Sequence, residues 1–61
     1  MLIRFPEVLK RTSLSRSQVY ELLNRSDFPR PVKITGARSV AWAASEIDDW
    51  IAARLAERKA A

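Results

Sequence analysis

Residues 12–25, TSLSRSQVYELLNR, carry the pattern that decides the fold. Ser15 and Gln18 have the S-x-x-Q spacing of a capping box, in which each side chain accepts the other residue's free backbone N–H. Three apolar residues with the i, i+3, i+4 spacing of one buried helix face follow: Val19, Leu22 and Leu23. The pattern predicts a helix that starts at Ser15 and ends near residues 24–26.

A shorter helix is predicted before this turn. Pro6 suits the first helical position, because the N–H that proline lacks would have no partner there. Glu7 complements the positive end of the helix dipole, and Val8 supplies part of the apolar side. Thr12 and Ser13 then break the pattern. Two short helices separated by about three residues predict a helix-turn-helix.

The segment after the second helix predicts a connector and a hairpin. Residues 28–31, FPRP, form a rigid connector, because each proline restricts its own φ and that of the preceding residue. Residues 32–34 and 39–42 are typical of short strands, and Gly36 between them suits a positive φ. The apolar residues expected to cover the helices are Val32, Ile34, Val40 and Trp42.

A last helix is predicted to begin near Ala44 or Ser45, with Ser45 as its cap. Its acidic residues are expected to lie at the helix start rather than to form a metal or catalytic pair: Glu46, Asp48 and Asp49. Its core-facing residues are expected to be Ile47, Trp50, Ile51 and Leu55. The fold class is therefore mainly α with a small β-hairpin, a single winged helix-turn-helix domain over residues 1–61.

The composition excludes several classes of function. The 61 residues contain no Cys and no His, which removes disulfides, the usual zinc ligands and the commonest general base. We therefore expect no enzyme activity, no catalytic residues, no cofactor and no metal. The longest apolar run, residues 40–44, is far shorter than a membrane span, so we expect no membrane partner and a cytoplasmic, nucleoid-associated protein.

The charge distribution points to nucleic acid. The net charge is +4, and residues 1–45 carry eight basic and three acidic groups. Basic residues can also serve solubility alone, but a basic helix-turn-helix favours double-stranded DNA. Arg16 can then bond to guanine, Gln18 to adenine and Ser17 to bases or phosphate. The candidate DNA-contact residues are Ser15, Arg16, Ser17, Gln18, Tyr20, Glu21, Arg25, Lys33 and Arg38.

Several segments together resemble the AlpA family of prophage regulators, which are similar to phage excisionases and MerR-like winged helices. They are LSRSQVY at 14–20, FPRPVK at 28–33, GARSVAW at 36–42 and SEIDDWI at 45–51. The resemblance spans Arg4 to about Arg54 and implies a small DNA-binding transcriptional regulator. It implies base contacts at Arg16, Ser17, Gln18 and Glu21, with Tyr20 near the backbone and Arg38 on the wing.

The chain departs from the family pattern at three places. The family usually has Thr at the position of Gln18, a basic residue at that of Glu21, and Gly before the F-P element, where this chain has Ser26-Asp27. Glu21 would repel phosphate, so it either faces a cytosine amino group or turns away from DNA. The departures bear on sequence specificity and leave the fold prediction unchanged.

Other functions stay open. One is RNA binding, although RNA-binding modules commonly present aromatic stacking surfaces or glycine-rich loops, and neither is visible in this sequence. The resemblance also allows an excisionase-type factor that bends DNA and recruits an integrase. A protein-interaction adaptor with only secondary DNA contact is the alternative of another class. The small size of the domain suggests self-association, as a dimer or as an assembly on repeated sites.

Overall fold

The fold consists of three helices and a small sheet in a computed structural model that describes residues 1–36 and 39–58. The helices are α1 (Phe5–Thr12), α2 (Arg16–Asn24) and α3 (Ala44–Glu57), and the strands are β1 (Leu2–Ile3), β2 (Val32–Thr35) and β3 (Ser39–Ala43). Over the described ranges, no helix combines the length and the apolar character needed to cross a membrane. The predicted winged helix-turn-helix is confirmed.

The turn between α1 and α2 closes with local hydrogen bonds. Ser13 adopts a left-handed conformation (φ 62°), and its N–H donates to the Leu9 carbonyl at 2.8 Å. The Thr12 hydroxyl donates to the Val8 carbonyl at 2.8 Å and accepts the Leu14 N–H at 3.3 Å. α1 begins one residue earlier than predicted, so Pro6 is its second residue, where a backbone N–H would also lack a helical partner.

The sheet has three antiparallel strands in the order β1-β3-β2. Leu2 pairs with Ala43 and Ile3 with Trp42, which adds a strand to the predicted two-stranded hairpin. A strand of two residues is too short to show an alternating pattern, so the sequence carried no signal for β1. Gly36, after β2, has the expected positive φ of 63°.

The core lies where α1, α2, α3 and β3 meet. Its members are Ile3, Phe5, Val8, Val19, Phe28, Ala41, Trp42 and Ile47. The rings of Phe5 and Trp42 are 5.1 Å apart, and the Phe28 ring packs edge-on against Trp50 at 4.9 Å. Trp42 is buried as expected, and Trp50 is half-buried against the same cluster.

The two tryptophans also hold the connector between α2 and β2. The Trp42 indole N–H donates to the Pro29 carbonyl at 2.8 Å, and the Trp50 indole N–H donates to the Asp27 carbonyl at 2.7 Å. With Phe28 in the core, three consecutive connector residues are therefore anchored. This anchoring determines where the chain leaves α2 and enters the hairpin.

Three predicted burials and one predicted cap are wrong. Val32 and Ile34 are 46% and 41% exposed, because β2 is an edge strand that packs chiefly against β3 and not on the helices. Leu55 is exposed near the end of α3, beyond the helix's buried Ile47. Ser45 does not cap α3: the strand continues to Ala43, and the Ala44 N–H donates to the Met1 carbonyl at 2.8 Å.

An exposed ion-pair group joins α1 to α3. Arg11 lies 2.9 Å from Glu7 on its own helix and 3.2 Å from Asp48 on α3. The hydrogen bond with Glu7 raises the pKa of Arg11 above its ordinary value, and the charge of Asp48 raises it further. Asp48 and Asp49 lie in the second turn of α3, and the acidic residue of the first turn is Glu46, which corrects the predicted placement.

Candidate nucleic-acid interface

The amino-terminal end of α2 is closed by the predicted capping box. The Ser15 hydroxyl accepts the Gln18 N–H at 3.2 Å, and the Gln18 side-chain oxygen accepts the Ser15 N–H at 2.9 Å. Pairing with adenine needs both the oxygen and the NH₂ group of a Gln side chain. Gln18 could read adenine only by giving up its bond with the Ser15 N–H, and a hydrogen bond of this kind contributes about 1 kcal/mol.

The outward face of α2 follows from its buried side. Val19 is fully buried, and Leu22 and Leu23 are half-buried behind it. Since successive residues are about 100° apart around a helix, the opposite direction is occupied by three exposed polar residues. These are Ser17, Glu21 and Asn24. Asn24 is not among the predicted contacts, although its i+3 spacing from Glu21 was a usable signal.

Glu21 is paired on this outward face. Its carboxylate lies 3.7 Å from the Arg25 guanidinium, one helical turn away, and both side chains are well exposed. Exposed pairs of this kind contribute roughly 0.3–0.5 kcal/mol to stability. The pair therefore adds little stability. Its main effect is that the positive charge of Arg25 offsets the negative charge of Glu21 on the outward face.

Arg16 and Tyr20 lie at the margin of α2, and both contact the Phe5 ring. The Arg16 guanidinium carbon is 4.6 Å from the centroid of the Phe5 ring, within cation–π distance. The Tyr20 ring meets Phe5 edge-on at 5.7 Å and stays 55% exposed. Phe5 thus connects the start of α1 to the exposed margin of α2.

An open cavity of about 430 Å³ occupies this margin. It is lined by Arg4, Phe5, Pro6, Arg16, Tyr20 and Val40. Among the described residues, the arginines in ion pairs are Arg11, Arg25 and Arg54, and neither Arg4 nor Arg16 has a carboxylate partner. Arg4 was not predicted as a contact, because a residue between a two-residue strand and a helix belongs to no periodic pattern.

The predicted contact residues fall into two groups. Those of α2 and its caps lie on one helix: Ser15, Arg16, Ser17, Gln18, Tyr20, Glu21 and Arg25. Lys33 is exposed on β2, where it pairs in register with Val40 of β3. Arg38 lies outside the residues that the structure describes, so its role on the wing stays a prediction.

Known proteins resemble this chain over most of its length. The profile of the family described as Prophage CP4-57 regulatory protein (AlpA) matches residues 1–55. The uncharacterised protein ORF88 of Enterobacteria phage P4 is 46% identical over 57 residues, which cover 93% of this chain. The chain spans 64% of that phage protein, just under two thirds of its length.

A second relative carries a functional description. The DNA-binding transcriptional activator AlpA of Escherichia coli (strain K12) is 36% identical to this chain over 58 residues. The match covers 87% of this chain and 83% of that protein. Identity and coverage of this extent are sufficient to assign a family.

Proposed function

The chain belongs to the AlpA family of prophage regulatory proteins, and on that premise we propose that it is a transcriptional regulator that binds particular sequences of double-stranded DNA. It acts as a single winged helix-turn-helix unit with no catalytic role. The observation that carries the proposal is the capped helix α2, which presents a polar face opposite its buried Val19.

In the proposed complex, α2 enters the major groove. An α-helix is about 10–12 Å across with its side chains, and the major groove is about 12 Å wide. The exposed residues at the centre of its outward face would then meet base edges: Ser17, Glu21 and Asn24. Asn24 has the side-chain amide that pairs with adenine, and Glu21 can accept a hydrogen bond from cytosine.

The hairpin serves as the wing in this proposal. β2 is an exposed edge strand, and Lys33 on it provides a positive charge for a phosphate group. Arg38 is proposed to enter a neighbouring minor groove, where a narrow and electronegative groove attracts arginine. The wing then contacts the duplex beside the major groove that α2 occupies.

Protein contact is a second candidate function, favoured by one observation. Val32 and Ile34 leave apolar surface on β2 uncovered. An excision factor or a protein-interaction adaptor would use such a surface to hold an integrase or a second copy of this chain. Sedimentation with and without duplex DNA tests the self-association: complexes with only one protein per site at saturating protein exclude it.

The DNA-binding proposal is tested by selection and titration. Duplexes enriched from a random pool by the purified protein define a preferred site, and the dissociation constant is then measured for that site and for a scrambled duplex. We expect the preferred site to bind at least about 10³-fold more tightly and both constants to rise steeply with salt. Equal affinities, or affinities independent of salt, would refute the proposal.

A further inference from the structure

Two arginines from separate elements line the cavity at the margin of α2. Arg4 is the extended residue that caps α1, and Arg16 is the first residue of α2. Both are exposed, and among the described residues no carboxylate forms an ion pair with either. Like charges that face one cavity repel each other, and a bound anion relieves that repulsion.

The other lining groups suit a phosphate. Tyr20, whose side chain carries a phenolic O–H, also lines the cavity, and Phe5 and Val40 supply apolar surface. Guanidinium groups bind phosphate oxygens with two parallel N–H donors, and a phenol adds a further donor. The cavity therefore combines two cations and a hydroxyl, with no lining carboxylate to compete for them.

The position of Arg16 argues against base reading. Its guanidinium stacks on Phe5 of α1 at 4.6 Å. It lies roughly 100° around the helix from Ser17, which is on the outward face. A side chain placed at the margin and held toward the neighbouring helix approaches the edge of a groove, where the phosphates of a duplex lie.

We propose that Arg4, Arg16 and Tyr20 together bind one phosphodiester group of the DNA backbone. This inference rests on the proposed function, since it places a duplex against α2. Arg16 is then a positioning contact that contributes affinity without sequence information, and not the guanine contact expected from its place at the helix start. Arg4 becomes a DNA-contact residue that no sequence motif indicated.

The first test compares charge removal at matched positions. Arg4→Gln, Arg16→Gln, Arg16→Lys and Arg58→Gln are titrated with the selected site and with a scrambled duplex across a range of salt. Arg58, exposed and just after α3, is the matched control for losing one arginine. Circular dichroism melting confirms that each variant is folded before it is titrated.

The expected result is a loss of affinity that is equal for the selected and the scrambled duplex. Arg4→Gln and Arg16→Gln each weaken both duplexes by the same factor and reduce the slope of log K against log salt by about 0.9. Arg16→Lys keeps the slope and the ratio between the duplexes, because lysine retains the charge that neutralises the phosphate, although it loses the bidentate and stacked contacts of the guanidinium. Arg58→Gln changes neither. A loss confined to the selected site in Arg16→Gln, or equal effects of Arg4→Gln and Arg58→Gln, would overturn the inference.

A second test locates the phosphate itself. Neutral methylphosphonate groups replace single phosphates along the selected site, and each duplex is titrated with the wild type and with the Arg4→Gln/Arg16→Gln double variant. At one position, the replacement should weaken the wild type by at least fivefold and leave the double variant unaffected. If every replacement affects the wild type and the double variant alike, Arg4 and Arg16 bind no common phosphate, even where the selected site itself still binds specifically.

Inorganic phosphate distinguishes a backbone contact from a site for a free ligand. A titration to 20 mM phosphate is followed by the amide resonances of Phe5 and Tyr20. Weak, unsaturated shifts that added duplex abolishes agree with a backbone contact. Saturation at low millimolar phosphate that persists with duplex bound would assign the cavity to a free phosphate compound and refute the proposal.

Discussion

At the scale of single residues, Ser26 explains how α2 ends. Its φ is 60°, its N–H donates to the Leu23 carbonyl at 3.0 Å, and the Asp27 N–H donates to the Leu22 carbonyl at 2.8 Å. These two bonds form a Schellman motif, whose left-handed position is usually glycine. The family resemblance leads us to expect glycine there because the position requires a left-handed conformation. In this chain a serine adopts that conformation.

Replacing Ser26 by glycine is expected to stabilise the protein. The left-handed conformation costs a residue with a Cβ about 1–2 kcal/mol, whereas glycine adopts it freely. Glycine also makes the unfolded chain more flexible, so the net gain in the free energy of unfolding is about 0.5–1 kcal/mol. Urea denaturation of Ser26→Gly measures it.

Ser45→Gly is the matched control for that substitution. Ser45 is exposed in the first turn of α3, where glycine relieves no strain and lowers helix propensity. We therefore expect Ser45→Gly to lower the free energy of unfolding. If both glycine variants shift the free energy of unfolding in the same direction, relief of backbone strain at Ser26 does not explain the effect of Ser26→Gly.

At the scale of elements, β1 positions the start of α1. Only Arg4 separates Ile3, which pairs with Trp42 of β3, from Phe5, the first residue of α1. Pairing of β1 with β3 therefore places Phe5 against Trp42 and brings Arg4 to the cavity beside α2. The short strand links the sheet to the proposed DNA-contact surface.

Adjacent substitutions in β1 should have very different effects. Ile3 is 7% exposed and Leu2 is 53% exposed, because successive residues of a strand face opposite sides. Ile3→Ala should lower the free energy of unfolding by about 2–4 kcal/mol. Leu2→Ala should lower it by roughly 0.5 kcal/mol or less, as surface substitutions usually do. Comparable losses in urea denaturation would mean that β1 does not pair as described.

At the scale of the whole molecule, the described arginines differ in whether an acid pairs with them. Arg11, Arg25 and Arg54 each pair with an acid, on α1 and α3, on α2 and on α3 respectively. Arg4 and Arg16 carry no such pairing within the described ranges, and they lie on the side of α2 that meets α1. Two cations of a chain whose net charge is only +4 are thus brought to one cavity, where their charges add to the local potential.

Removing the acid on α2 should strengthen binding to DNA. Glu21→Gln deletes a negative charge that faces the duplex in the proposed complex, and it frees Arg25. Affinity for a scrambled duplex near 0.1 M salt should rise about fivefold, which corresponds to about 1 kcal/mol for one charge at contact distance in water. The gain should shrink as salt increases, because screening shortens the range of the interaction.

Glu57→Gln controls for the change in net charge. Glu57 forms a comparable exposed pair with Arg54 on α3, away from the proposed interface. Its removal should change affinity for the scrambled duplex by less than twofold. An equal gain in both variants would show that overall charge, and not the position of Glu21 on α2, governs binding.

Much of the framework was predictable because its signals are local. The capping box at Ser15 and Gln18, the turn at Ser13 and the positive φ of Gly36 each depend on residues within one turn of chain. The cavity was not predictable as a site. Arg4 and Arg16 are twelve residues apart, and no motif indicates that they line one cavity together with Phe5 and Tyr20.

The sequence by itself determined the helices, the turn between them, the hairpin and the family, because capping and periodicity act within a few residues. Only the tertiary structure decided that Ile3 pairs with Trp42, that Val32 and Ile34 stay uncovered, and that the indoles of Trp42 and Trp50 hold the connector. These outcomes depend on which distant segments share the small core. With one face of β3 used by the helices and one edge by β1, β2 remains at the outer edge of the sheet.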